Sequence, residues 1–407
     1  MKKKILILAF GFIFIMCGFT FLLPEIRKVR SLPNDMIVTY SDIQEANKNN
    51  EFSSCINLEL PENIVTASNG EPTETVMRVK LFNLFTIKKV NVRLLTDTDV
   101  YVGGETVGFN LFSEGVICVG SNAVVTSEGR REPVLSSALK EGDAITKIEN
   151  IEIDSIEDID RIINLPNFAG KELKLTIRRG GEEFESAITP VYDLMSQKYK
   201  LGLWVRNNAS GVGTLTYIKQ SDFRFGAVGH PIVDNSLGDN FKVDSGKLYK
   251  CRLLGIKKGE RNNPGEIRSS INLSDDALGL ADTNCKFGVY GNILNKSFIE
   301  ASRTATLGGR LSVHLGDAKI YCALDNGGVK AYDVKIIKAN KQNSADDKSM
   351  TIKVTDKELL EKTGGIIQGM SGSPIVQNGK LVGAVTHVFL NDPTRGYGVY
   401  VDWMLNN

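Results

Sequence analysis

From Gly202 to the C-terminus the chain carries little helical periodicity. Short apolar runs alternate with turn residues instead. Examples are Val212-Gly213-Thr214-Leu215-Thr216-Tyr217, Phe287-Gly288-Val289-Tyr290-Gly291 and Leu381-Val382-Gly383-Ala384-Val385. A helix needs apolar positions three and four residues apart over several turns, whereas a strand needs only a short run between turns. This stretch therefore predicts a β-barrel or sandwich, and its roughly 200 residues suffice for a two-barrel domain. Residues 339–350 are polar and read as a surface loop.

Composition narrows the function classes. The 407 residues correspond to two or three domains at roughly 100–200 residues each. With 42% hydrophobic and 24% charged residues the chain is ordinary globular protein and not wholesale disorder. Lys+Arg 49 against Asp+Glu 48 leaves no basic excess for nucleic acid. Cys17 lies in the N-terminal apolar segment, and Cys55, Cys118, Cys251, Cys285 and Cys322 are scattered without a C-x-x-C pair. They read as small buried hydrophobes, not as a disulfide framework. Three scattered histidines with no paired ligand spacing argue against a metal centre, and no cofactor is expected.

Lys2, Lys3 and Lys4 precede 19 residues without a charge, Ile5 to Leu23. At about 1.5 Å per residue, a helix of that length approaches the ~30 Å of a bilayer core. The large residues Phe19, Phe21, Leu22 and Leu23 leave no small-x-small cleavage site. An uncleaved membrane anchor over residues 1–30 is thus favoured over a cleaved signal. The lysines hold the short N-terminus in the cytoplasm and put the bulk of the chain outside it. Arg27, Lys28 and Arg30 on the other side weaken that bias. Residues 31–97 read as a linker and a short β segment: 31–75 is polar and resembles a flexible tether, and then Val90, Val92 and Leu94 alternate with Lys89, Asn91 and Arg93.

Residues 98–192 read as one small module. Val116 to Gly120 is a strand, and Leu139-Lys140-Glu141-Gly142-Asp143-Ala144-Ile145 turns into another. Asp154 or Ser155 is placed to cap a helix bearing Ile156, Ile159, Ile162 and Ile163. Leu173, Leu175 and Ile177 then alternate with Lys174, Thr176 and Arg178. The order resembles a PDZ domain, whose Leu-x-x-Gly-Asp-x-Ile signature matches Leu139 through Ile145. The resemblance implies a carboxylate-binding loop at Val107, Gly108, Phe109 and Asn110. It also implies capture of a peptide or protein C-terminus by strand addition.

The chemistry centres on Gly369-Met370-Ser371-Gly372-Ser373-Pro374. A serine nucleophile needs an exposed hydroxyl and backbone N–H groups aimed at the developing oxyanion. Glycines on both sides of Ser371 permit the tight turn that supplies both. The segment resembles the nucleophile loop of chymotrypsin-like serine proteases, which implies an oxyanion hole from the Gly369 and Ser371 N–H groups. Met370 and Ser373 depart from that pattern. The hydroxyl also needs a base, and His230, His314 and His387 are the three candidates. His230 ends the apolar run Phe225 to Gly229 and precedes Ser371, the order of the chymotrypsin class. Asp317, Asp325, Asp346 and Asp356 all lie between His230 and Ser371, and spacing does not choose among them.

Anchor, PDZ, then a His-to-Ser β domain over 200–407 is similar to the SpoIVB peptidase family of endospore-forming bacteria. The matching stretches are Phe225 to Asp234, Val354 to Leu360, Gly364 to Pro374, Gly383 to Phe389 and Asn391 to Gly398. Met370 and Ser373 fit that family. The resemblance implies Ser371 as nucleophile, His230 as base and Asp356 as acid. It also implies a location in the forespore intermembrane space and a protein substrate that restrains a membrane-embedded metalloprotease. Cleavage of that substrate leads to activation of a late sigma factor. Self-cleavage upstream of the PDZ domain, in the 31–75 linker, is implied as well. The competing expectation is a catalytically inactive, membrane-tethered PDZ scaffold.

Overall fold

The computed structural model describes residues 25–61, 73–95, 99–233, 240–299, 303–340, 342 and 344–405. The apolar run Ile5–Leu23 lies outside them. Among the described residues no helix is long and apolar enough to cross a membrane.

The fold begins with a small sheet where a linker was expected. Strands β1 (Asp35–Thr39), β2 (Ile56–Glu59), β3 (Thr73–Leu81) and β4 (Phe85–Leu95) stand in the order β1-β4-β3-β2, with helix α1 (Tyr40–Lys48) between β1 and β2. Thr39 and Asp42 form a reciprocal cap at the start of α1. Val38, Ile43, Leu58, Met77 and Val90 make a core of their own. Strands of four or five residues offer too few positions for their alternation to stand out, which is why 31–75 looks like a tether. The module is pinned to the rest of the chain by a buried carboxylate. Asp42 accepts from Lys380 Nζ (3.0 Å), from Gly309 N–H (3.0 Å) and from Ser312 Oγ.

Strands β5 (Asp99–Val102) and β6 (Thr106–Ser121) follow. The PDZ-like module then supplies β7 (Ala144–Ile148), α2 (Ile156–Ile163), β8 (Leu173–Arg179) and β9 (Glu182–Ile188), around a core of Ile145, Ile148, Ile162 and Leu175. Of the two expected caps, Asp154 and Ser155, it is Ser155 that caps α2, with Asp158 closing the box. Strand β10 (Leu203–Lys219) returns beside β6 over most of its length.

Next come β11 (Arg224–Ala227), β12 (Ser245–Lys257), β13 (Gly279–Cys285) and β14 (Gly288–Ile293). The pairings β10–β6, β6–β12, β12–β13, β13–β14, β14–β11 and β11–β10 close a six-stranded ring. Phe109, Leu111, Leu215, Phe225, Leu248 and Val289 fill it. After β15 (Thr304–Leu307), a second set comprises β16 (Gly316–Ala323), β17 (Val329–Ala339), β18 (Met350–Val354), β19 (Pro374–Gln377), β20 (Lys380–Val388) and β21 (Arg395–Tyr400). It closes in the order β16-β17-β18-β21-β20-β19-β16. Helix α3 (Lys357–Thr363) connects β18 to the segment that carries Ser371.

The first ring therefore begins at β6, not near residue 200. Its strands β6 and β10 run on into the PDZ-like module, which is nested between them. The expected boundary at residue 200 falls just before β10, whose ladder with β6 runs from Leu203↔Ser121 beside the PDZ-like module to Thr214↔Thr106 in the first ring.

Candidate active site

Ser371 lies in the turn that feeds β19 of the second ring. Gly369 (φ +94°) and Gly372 (φ +95°) both take the left-handed backbone that side chains disfavour. A Cβ on Gly372 would stand 2.0 Å from Thr214 O and 2.5 Å from Val228 N. Glycine is therefore needed there for close approach as well as for turn geometry. The loop is tied down from the first ring by β10. Thr214 N–H donates to Ser371 O, Thr214 Oγ1 to Gly369 O and Thr216 Oγ1 to Gly372 O, each at 2.8 Å. Both threonines are fully buried.

These bonds use the loop's carbonyls and leave selected N–H groups open. Gly372 N–H donates to Val385 O and Ser373 N–H to Met370 O. Among the described residues, the N–H groups of Gly369 and Ser371 have no acceptor. Both residues are part-buried, so these two donors are open to an incoming oxygen.

His230 emerges just past β11 of the first ring. Val228 has φ +71°, and Gly229 N–H reaches back to Ala227 O at 2.8 Å. This three-residue turn at positive φ is a strained form, here imposed on a β-branched residue. The turn throws His230 out of the strand direction and toward the second ring. Its Nδ1 donates to Pro231 O (2.9 Å), which leaves Nε2 as the acceptor. Burial lowers its pKa below the ordinary value, against the Pro231 carbonyl and the Asp347 charge, which raise it. The imidazole is thus held neutral near pH 7, as a base requires.

His387 stands next to His230, with ring centroids 5.2 Å apart and planes at 34°. Burial and the neighbouring His230 lower its pKa, and Asp347 opposes them. Asp347 Oδ2 lies 3.7 Å from His387 Nδ1. The backbone of Asp347 is fixed by Thr386 Oγ1, which donates to Asp347 O at 3.0 Å. Ser371 Oγ donates to Thr386 O (2.8 Å), the residue before His387. Ser371, His387 and Asp347 therefore converge on Thr386, and His230 joins the cluster through its ring contact with His387. No Ser371–His230 hydrogen bond is made among the described residues; the hydroxyl faces a backbone carbonyl in this arrangement.

Asp356 is elsewhere. It is the N-cap of α3: one carboxylate oxygen accepts from Leu359 N–H (3.0 Å) and the other from Asp333 N–H (3.3 Å). The carboxylate that acts on His230 is that of Asp347, which spacing did not single out. His314 is paired with Glu51 of the first module (3.3 Å) and takes no part in this cluster.

Over residues 197–405, just over half of the chain, the sequence matches the family described as SpoIVB peptidase S55. The chain belongs to that family. It is a serine peptidase. No curated protein matches it. Among solved structures it is similar to the PDZ domain of the SdrC-like protein from Listeria monocytogenes. That match has 18% identity and TM-score 0.18, and covers 23% of this chain and 88% of that one. It is also similar to the Rv3671c protease of M. tuberculosis. The inactive form gives 13% identity and TM-score 0.26, covering 48% and 81% of the two chains. The active form gives 14% identity and TM-score 0.25, covering 49% and 72%.

The second candidate site of this S55 peptidase is displaced from its expected place. Val107, Gly108, Phe109 and Asn110 lie in the first part of β6, where Phe109 is fully buried in the first ring. β6 pairs there with β10 on one edge and β12 on the other. A strand with both edges occupied cannot take a peptide by strand addition. A groove of about 410 Å³ opens instead between α2, through Ile156, Ile159 and Ile163, and Leu201–Val205. Leu203–Val205 pair only with β6 among the described residues, so one strand edge stays open. Gly202, at φ +65°, turns the chain into that edge. The apolar-Gly-apolar signal Leu201-Gly202-Leu203 is legible in sequence, but it lies past the expected end of the module at residue 192.

Proposed function

We propose that this peptidase is a membrane-anchored serine endopeptidase of a sporulation signalling pathway. It would be held by Ile5–Leu23 with its bulk outside the cytoplasm, in the forespore intermembrane space. Its substrate would be a protein regulator of a membrane-embedded metalloprotease, whose cleavage leads to activation of a late sigma factor. Ser371 Oγ, rotated off Thr386 O, attacks the scissile carbonyl and passes its proton to His230 Nε2. The Gly369 and Ser371 N–H groups receive the oxyanion. His230 returns the proton to the leaving amine, and water repeats the sequence on the acyl-enzyme. Asp347 acts as the acid of the cluster, close to both imidazoles. The open groove at Leu201–Val205 takes an extended peptide or protein C-terminus as an added strand.

The observation that carries this reading is the pair of unpaired N–H groups flanking Met370 beside a serine whose neighbours include a neutral imidazole. The scaffold reading draws on the hydroxyl's bond to Thr386 O. A fluorophosphonate probe decides between them, since it labels only an activated serine. Wild type labels at Ser371, and Ser371→Ala loses both labelling and turnover, by about 10⁶ in kcat. Absence of labelling in the folded wild-type chain sinks the catalytic reading. Self-cleavage within 35–59 would require the first module to open, because that stretch is folded into β1, α1 and β2.

A further inference from the structure

The β3–β4 hairpin ends in a tip whose apolar side chains bury little. Phe82, Leu84, Phe85 and Ile87 are 52%, 77%, 65% and 37% exposed. Phe82 and Asn83 take φ +52° and +57°, and Leu84 N–H closes the turn on Leu81 O at 3.1 Å. Two successive positive φ values make the tight turn that suits hairpin twist and normally selects Asn-Gly or Asp-Gly. A phenylalanine in the first of these positions is sterically disfavoured. Its ring gains little packing in exchange. Behind the tip the same strands bury Met77, Val79 and Val90 in the usual way. The fold of the module thus accounts for the strands and not for the apolar tip.

The direction of the tip is set by topology. β1 runs parallel to β4, with Asp35 opposite Asn91. The chain therefore enters the sheet from the end where the hairpin turns. Lys88 Nζ fixes that entry by donating to Arg30 O (3.3 Å) and to Leu32 O. Phe85 lies three residues further out on β4, on the order of 10 Å beyond Lys88 at the rise of an antiparallel strand. The helical stretch 25–30 supplies Arg27, Lys28 and Arg30 and directly follows Pro24 and the uncharged run Ile5–Leu23. Lys88 and Lys89 stand behind the tip on β4. An apolar edge with a collar of basic residues is the composition of a segment that dips into the headgroup–acyl boundary of an anionic membrane.

We propose that the Phe82–Ile87 hairpin tip inserts into the lipid surface beside the membrane anchor. This rests on the anchored reading of Ile5–Leu23. The tip gives the first module a second point on the bilayer, and the Asp42–Lys380 contact passes that orientation to β20 of the second ring.

The test uses the full chain on vesicles of phosphatidylcholine and phosphatidylglycerol, with or without brominated acyl chains. Flotation reports membrane association, and quenching of tryptophan reports depth. Phe85→Trp and Leu84→Trp are both exposed replacements, and wild type supplies the background from Trp204 and Trp403. The expected result is flotation of all three proteins, with the added emission in both variants reduced roughly twofold by brominated lipid. Flotation with unquenched emission overturns tip insertion while leaving the anchor standing, and points to a protein partner for the tip. Failure of wild type to float overturns the anchored reading, and tip insertion falls with it.

Discussion

The two rings deliver their side chains to the site in opposite ways. The first ring offers His230 through strain: a β-branched residue, Val228, is held at φ +71° so that the chain can leave β11 abruptly. The second ring offers Ser371 through permissiveness: Gly369 and Gly372 make the turn at little steric cost. The supports are also exchanged. The nucleophile loop is held by Thr214 and Thr216 of β10, a first-ring strand. His230 rests against His387 on β20, a second-ring strand. Each ring thus holds the group that the other presents to the proposed site, and neither half of that site is complete within its own ring.

The sharpest way to break this arrangement is to push the rings apart where they touch most closely. Gly372→Ala places a Cβ 2.0 Å from Thr214 O at a φ of +95°, so the loop must move. Displacement of a reacting group by about 1 Å costs on the order of 10² in rate, and loss of an oxyanion donor costs about 10²–10³. We expect kcat/KM to fall by roughly 10³. Near-UV circular dichroism and melting temperature should show a folded protein. Activity within tenfold of wild type would mean that the loop does not depend on this contact.

A milder break removes one bond and keeps the shape. Thr214→Val deletes the hydroxyl that holds Gly369 O and leaves a part-buried carbonyl unpaired. Such a group costs about 1–3 kcal/mol. If the loss falls on the loop's active geometry, kcat drops about tenfold with KM unchanged, and Thr214→Ser restores it. A drop in melting temperature with unchanged kcat would make the threonine a purely structural bond.

What the sequence discloses follows from how local each feature is. The nucleophile turn is legible because glycine is demanded by backbone angles inside six residues. The PDZ signature at Leu139–Ile145 is legible for the same reason: Asp143 accepts from Lys140 N–H three residues away and pairs with Arg179. The helix over 156–163 announces itself through its cap and its isoleucine spacing. Features made by distant pairings are hidden. Nothing local tells that Val107–Asn110 will be sandwiched between β10 and β12, or that Leu201–Val205 will keep a free edge. Of the first module only the alternation on β4 shows in sequence; β1 and β2 are too short, and the anchoring carboxylate, Asp42, finds Lys380 only across the fold.

The acid is the subtlest case, because both carboxylates in question, Asp347 and Asp356, flank the second-ring strand β18. Thr355-Asp356-Lys357-Glu358-Leu359-Leu360 has the composition of a helix start, and Asp356 does the work of one by capping α3. Asp347 sits in a polar loop with no such local signature, yet its charge raises the pKa of His230 and of His387. The sign of its removal follows. Without Asp347 the imidazolium of His230 loses a favourable charge, so its pKa falls further below the ordinary value. The base then stays neutral to lower pH. Asp347→Asn should move the acid limb of the kcat/KM profile to lower pH, with Lys348 and His387 the remaining groups acting on the cluster. Asp356→Asn should leave that limb in place and cost stability through a weakened helix cap, about 1 kcal/mol or less. Purified variants titrated on a soluble peptide give both limbs. If Asp356→Asn moves the limb and Asp347→Asn does not, the acid belongs to α3, and the site must rearrange before it works.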